Sequence, residues 1–148
     1  MWFVSPIIHI KFFTLEMKLK KFLFYYWKSI IVISVILYLS FAPPSEFKGV
    51  PTFENEDKLV HILMYGGLTC MLMFDLRQYT KNKPLSALTF MLISLLTPVI
   101  LGGIVEILQP IYFAPRTAEW LDWFSDITGA LMGWFVVKLV LFKLFKIR

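Results

Sequence analysis

Four long apolar runs limit what this chain can fold into more than any other feature. They are Phe22 to Ala42, Leu59 to Leu76, Leu85 to Leu108 and Leu121 to Phe145. A helix crossing the hydrocarbon core of a bilayer needs about 20 residues, with about 17–25 tolerated. All four runs qualify, the second by borrowing from its flanks. Within 148 residues they leave no room for a soluble domain. Hydrophobic residues make up 58% of the chain and charged residues 17%, a balance too apolar for an ordinary soluble domain. Side chains facing lipid need no polarity. The expected fold is all-α, a four-helix transmembrane bundle whose partner is the lipid bilayer.

Stop signals separate the runs. Pro43-Pro44 closes the first, because a residue preceding proline is pushed out of the helical region. Asn82-Lys83-Pro84 breaks the chain again, and Pro110 and Pro115 are expected to bracket the end of the third helix. Loop charges set the orientation. Lys11, Lys18, Lys20 and Lys21 precede the first run, Arg77, Lys81 and Lys83 fill the second loop, and Lys143, Lys146 and Arg148 close the chain. The first loop instead carries Glu46, Glu54, Glu56 and Asp57 against Lys48 and Lys58. Basic segments therefore alternate sides, and the positive-inside rule places both termini in the cytoplasm. Loops one and three then face outward from the inner (cytoplasmic) membrane.

Met17-Lys18-Leu19-Lys20-Lys21 followed by an apolar run looks like a natural membrane-protein start. Residues 17–148 are read as the membrane domain. Met1 to Glu16, broken by Pro6, His9 and Lys11, is too short and polar to span. It is read as an extension from an upstream start codon, with an interfacial amphipathic segment as the alternative. The first run imitates a signal peptide, but Pro43 would directly follow the scissile bond, so an uncleaved span is expected. A net charge of +5 speaks to orientation and anionic lipid. The lysines flank apolar runs and form no continuous stripe, which argues against nucleic acid. Cys70, the single cysteine, excludes an internal disulfide and a cysteine-based zinc cage.

Ionisable groups in a span cost about 2.5–3.5 kcal/mol each at its centre, so those present need a reason. Here they gather at one level. Asp57, Lys58 and His61 open the second helix, Glu106 and Gln109 end the third, Arg116 and Glu119 lie in the third loop, and Asp122 and Asp126 open the fourth. Asp57, His61 and Tyr65 recur every four residues and share a helical face. Asp122 and Asp126 continue into Gly129 and Gly133, small residues that let a neighbouring helix approach. Taken singly, each has a bland reading. Asp122 would favour a helix N-terminus, Lys58 would snorkel, Gly129 and Gly133 would pack, the tryptophans would form an interfacial belt, and Asp75 beside Arg77 would be a solvated boundary pair. As a set they are costly.

Asp57-Lys58-x-x-His61-x-x-x-Tyr65-Gly66, then Glu106-x-x-Gln109, then Arg116 and Asp122-x-x-x-Asp126-x-x-Gly129-x-x-x-Gly133, resemble the VanZ-like family. The resemblance runs from about Pro43 to the end of the fourth helix. It implies a four-helix cell-envelope protein, in a family whose founding member is associated with low-level teicoplanin resistance. It supplies no reaction. The chain departs from the family at Asp126, where asparagine is usual.

Three expectations follow. In the first, an outward polar pocket binds or modifies a lipid-linked envelope precursor or another anionic headgroup. Lys58 and Arg116 hold the anion, Gln109, Asp57, Tyr65 and Asp122 line the site, and Glu106, His61 and Asp126 do acid–base work. In the second, the same residues are a structural ion-pair network without catalysis. In the third, His61, Glu106, Asp122 and Asp126 hold a divalent metal.

Overall fold

A computed structural model describes residues 6–47, 54–113 and 117–145. Four helices carry them: α1 (Pro6–Phe41), α2 (Glu56–Tyr79), α3 (Ala87–Tyr112) and α4 (Trp120–Phe145), with a 3-10 turn at Pro44–Phe47. Each helix is long and apolar enough to cross a membrane. No strand occurs among the described residues.

Local chemistry accounts for the boundaries. α1 stops two residues before Pro43, and the Ala42 N–H closes its last turn on Tyr38 O at 2.8 Å. Its first residue is Pro6, a place where a missing N–H costs nothing. The helix therefore begins well before the apolar run at Phe22, and Thr14–Phe41 within it is long and apolar enough to cross a membrane. Asn55, with φ 61°, turns the chain into α2, and asparagine tolerates that left-handed conformation. Ser86 caps α3 by accepting the Thr89 N–H at 3.1 Å. The expected break at Pro110 does not occur there: Pro98 and Pro110 both lie inside α3, which runs on to Tyr112. Proline deletes one helical hydrogen bond, a loss that packed neighbours in a membrane bundle can absorb. Pro115 lies outside the described residues.

α2 is the hub, in contact with α1, α3 and α4, whereas α1 and α4 do not touch among the described residues. The core forms where Ile36 of α1 meets Tyr65 and Leu68 of α2, with Val32, Ile33, Met64 and Leu101 packed around them. The outer surface is as apolar as the inside. Ile100, Ile104, Ile107 and Ile111 form an exposed stripe down α3, and Leu121, Phe124, Phe135 and Leu139 are exposed on α4. Water would penalise such faces heavily and lipid does not. The fold is that of a multi-pass membrane protein.

α2 and α4 run in the same direction, as the pairing of Lys58 with Asp122, His61 with Asp126 and Cys70 with Gly133 shows. Glycines bring the two backbones into contact. A Cβ on Gly129 would collide with the carbonyl oxygen of Ile62, and one on Gly133 with that of Gly66. Both obstacles are backbone, so neither can swing aside. Gly67 faces open space within 4 Å.

Gly129→Ala should force α2 and α4 apart and lower stability by about 1–3 kcal/mol, as overpacking does. Gly67→Ala should be neutral or gain up to about 1 kcal/mol, because alanine is the better helix former. Detergent-mediated unfolding midpoints of the two variants measure the difference. Equal midpoints would remove backbone contact as the reason for Gly129.

Candidate functional site

The polar residues converge where α2 and α4 begin and α3 ends. The first turns of α2 and α4 lie side by side because the glycine contact one to three turns further in holds them together. Lys58 Nζ reaches Asp57 Oδ2 at 2.8 Å, Asp122 Oδ1 at 3.2 Å and Glu119 Oε2 at 3.6 Å. Lys58 therefore does more than snorkel: it ties α2 to the start of α4. One turn further in, His61 Nδ1 meets Asp126 Oδ1 at 2.7 Å. The other ring nitrogen, Nε2, faces Asp122 Oδ2 at 4.0 Å, beyond hydrogen-bond length.

Asp126 is fully buried. Its second oxygen, Oδ2, lies against Gly102 of α3, where a Cβ would collide with it. Gly102 thus makes room for a carboxylate and not for a helix backbone. A Cβ on Gly103 would stand 3.3 Å from Nε1 of the Trp123 indole, whose N–H donates to the Val99 carbonyl at 3.0 Å. Trp123 is consequently an interhelical contact, not a member of an interfacial belt, whereas Trp120 and Trp27 are exposed.

Glu106 enters from α3. Its Oε2 accepts the backbone N–H of Glu119 at 2.9 Å, which pins the third loop to the site. Its Oε1 is buried and has no hydrogen-bond partner among the described residues. The same holds for Asp126 Oδ2 and for the hydroxyl of Tyr65, which lies one turn beyond His61 and is fully buried. Arg116, expected as the counter-ion of Glu106, lies outside the described residues.

Gln109 takes no part in this cluster. It is buried, and its side chain donates to the Ser40 carbonyl of α1 at 3.0 Å, holding the ends of α1 and α3 together. The stacked rings of Phe41 and Phe113, 4.1 Å apart, reinforce that junction. Asp57 is exposed and occupied by Lys58. Gly129 and Gly133 serve packing, as their spacing suggested.

Two ligand sets emerge from these side chains. Donor atoms of His61, Glu106 and Asp122 lie within 4.8 Å of one another, as do those of Asp57, Glu119 and Asp122. The second set surrounds the Lys58 ammonium, so a cation already sits among its carboxylates. The Asp126–His61 pair holds the imidazole by Nδ1 and leaves Nε2 to take a proton or bind a metal. Comparison with protein-family models, with curated proteins and with solved structures finds no match.

A second polar locus lies toward the opposite end of α2. Asp75 is fully buried rather than solvated beside Arg77. It accepts from Lys28 Nζ at 3.0 Å, from the Ser29 N–H at 2.9 Å and from Ser29 Oγ at 2.8 Å. Sequence reasoning missed this link. The signal was there: a lone lysine inside one apolar run and a lone aspartate inside the next.

Replacing Asp75 by alanine should cost about 3 kcal/mol, the low end for a broken buried pair because Lys28 retains some solvent contact. Adding Lys28→Met to that variant should recover part of the loss. A double-mutant cycle on unfolding free energies reads the coupling, and strictly additive losses would deny it.

Proposed function

We propose that this chain is a cell-envelope protein of the VanZ-like type, with the His61–Glu106–Asp126 end facing outward from the cytoplasmic membrane. There it binds or modifies a lipid-linked or surface ligand at headgroup level. One observation carries the reading. A network built only for stability satisfies its members, yet among the described residues Glu106 Oε1, Asp126 Oδ2 and the Tyr65 hydroxyl are buried without partners, three of the five such groups in the bundle. Asp126 orients the His61 ring, and the free Nε2 would accept a proton from a ligand hydroxyl. Glu106, fixed by the Glu119 N–H, would supply the second acid–base group.

Lys58 is already engaged by three carboxylates, so direct pairing of this lysine with an anionic headgroup is not where the reading rests. Those three pairs favour a second, structural role for the outermost layer: they hold α2 to α4. The acid–base work belongs to the layer beneath.

Glu106→Gln removes charge while nearly preserving volume. The variant should insert and fold as the wild type does, yet lose the envelope phenotype, read as reduced teicoplanin susceptibility in a Gram-positive host. Loss of folded protein would favour the structural network, and full retention of phenotype would reject Glu106 as an essential group.

Orientation has its own test. In a Cys70→Ser background, Glu54→Cys and Thr117→Cys should react with an impermeant thiol reagent on intact spheroplasts, and Lys81→Cys should not. The reverse pattern would turn the site toward the cytoplasm.

A further inference from the structure

We propose that His61, Glu106 and Asp122 form a three-ligand site for a divalent metal ion of the zinc class, with Asp126 as the residue that orients His61. The inference deepens the reading of the same site. The ligand class rests on that reading, but the metal site stands on the residues alone.

Charge is the first consideration. Glu106, Asp122 and Asp126 crowd around one imidazole, and the nearby ammonium of Lys58 is spent on Asp57, Glu119 and the far oxygen of Asp122. Asp122 Oδ1 points to Lys58, while Oδ2 points to His61. Glu106 is only 6% exposed, and its Oε1 has no partner among the described residues. A buried carboxylate oxygen without a partner is costly, and a dication beside it would lower the cost.

Geometry is the second. Metal-binding histidines typically give their other ring N–H to a carboxylate, which fixes the tautomer and raises ligand basicity. His61 does this with Asp126 at 2.7 Å, leaving Nε2 directed at Asp122. The three donor atoms lie within 4.8 Å of one another. Tetrahedral zinc with ligands at about 2.0–2.2 Å needs donors roughly 3.3–3.6 Å apart. The side chains therefore close by an ångström or so, within reach of small rotations. One histidine and two carboxylates suit zinc or manganese rather than copper(I) or an iron–sulfur cluster.

Three protein ligands leave a coordination position open. An oxygen of a phosphate or carboxylate headgroup would fit there. The metal would then give this acid-rich site the positive charge that Lys58 cannot.

The test uses the full chain in nanodiscs, stripped with chelator and titrated with zinc chloride by calorimetry. The wild type should bind one zinc per chain. His61→Ala and Glu106→Gln should weaken binding at least 100-fold. Asp126→Asn should weaken it about 10–100-fold at unchanged stoichiometry, as loss of an orienting carboxylate does. Folded wild-type protein that takes up no zinc, or His61→Ala with wild-type affinity, would overturn the proposal. Should the variants fail to fold, cobalt(II) added to wild-type protein decides. Intense tetrahedral visible bands support the site, and a weak octahedral spectrum rejects it. Intact zinc binding with an unchanged Glu106→Gln phenotype would sink the headgroup reading and leave the metal site standing. Absent zinc with a lost phenotype would do the opposite.

Discussion

Backbone contact between α2 and α4 at Gly66, Gly129 and Gly133 fixes the rest of the molecule. In lipid no hydrophobic force drives helices together, so association depends on close packing and on polar contacts between them. Glycine supplies the first, and the residues just before it supply the second. Once the two helices touch along this seam and point the same way, Lys58 must meet Asp122 and His61 must meet Asp126. α3 then completes the arrangement with two devices four residues apart. Gly102 yields space to the Asp126 carboxylate, and Glu106 reaches the loop before α4.

The bundle treats its two polar loci differently. The Lys28–Asp75–Ser29 cluster is closed: each oxygen of Asp75 has a donor. Such a cluster links α1 to α2. The His61–Glu106–Asp126 cluster is open, with buried oxygens that no described donor satisfies. A closed cluster accounts for itself, whereas an open one calls for a further explanation, which the proposed ligand would supply. The contrast within one small protein is more informative than either cluster alone, because both face the same cost of leaving water.

The helices were legible in the sequence because their signal is long and strong. Their ends were less so. Pro110 reads as a stop, yet α3 passes through it, since a membrane bundle tolerates a missing hydrogen bond that water would not. The gathering of Asp57, Lys58, His61, Glu106, Asp122 and Asp126 at one level followed from spacing and loop charge. Which of them touch did not. Helical periodicity places Gln109 on the face of Glu106, but its amide spans to Ser40 of α1 instead. Asp75 next to Arg77 looks like a surface pair along the chain, and only the packing of α1 against α2 reveals its partner as Lys28. Gly102-Gly103 suggests close helix approach along the chain, but what Gly102 admits is a side chain from another helix, which the sequence does not show.

The Lys28–Asp75 pair also bears on how the protein enters the membrane. An aspartate in an isolated spanning helix carries an insertion penalty of about 2.5–3.5 kcal/mol at the helix centre, and a lysine carries a similar one. During synthesis Lys28 emerges first, on a helix apolar enough to leave the translocon by itself. α2 follows with the opposite charge at the matching depth. Joined, the two charges and the Ser29 donors cancel much of what each would cost alone. α1 and α2 are therefore suited to partition as a hairpin, each lowering the cost of burying the other's charge.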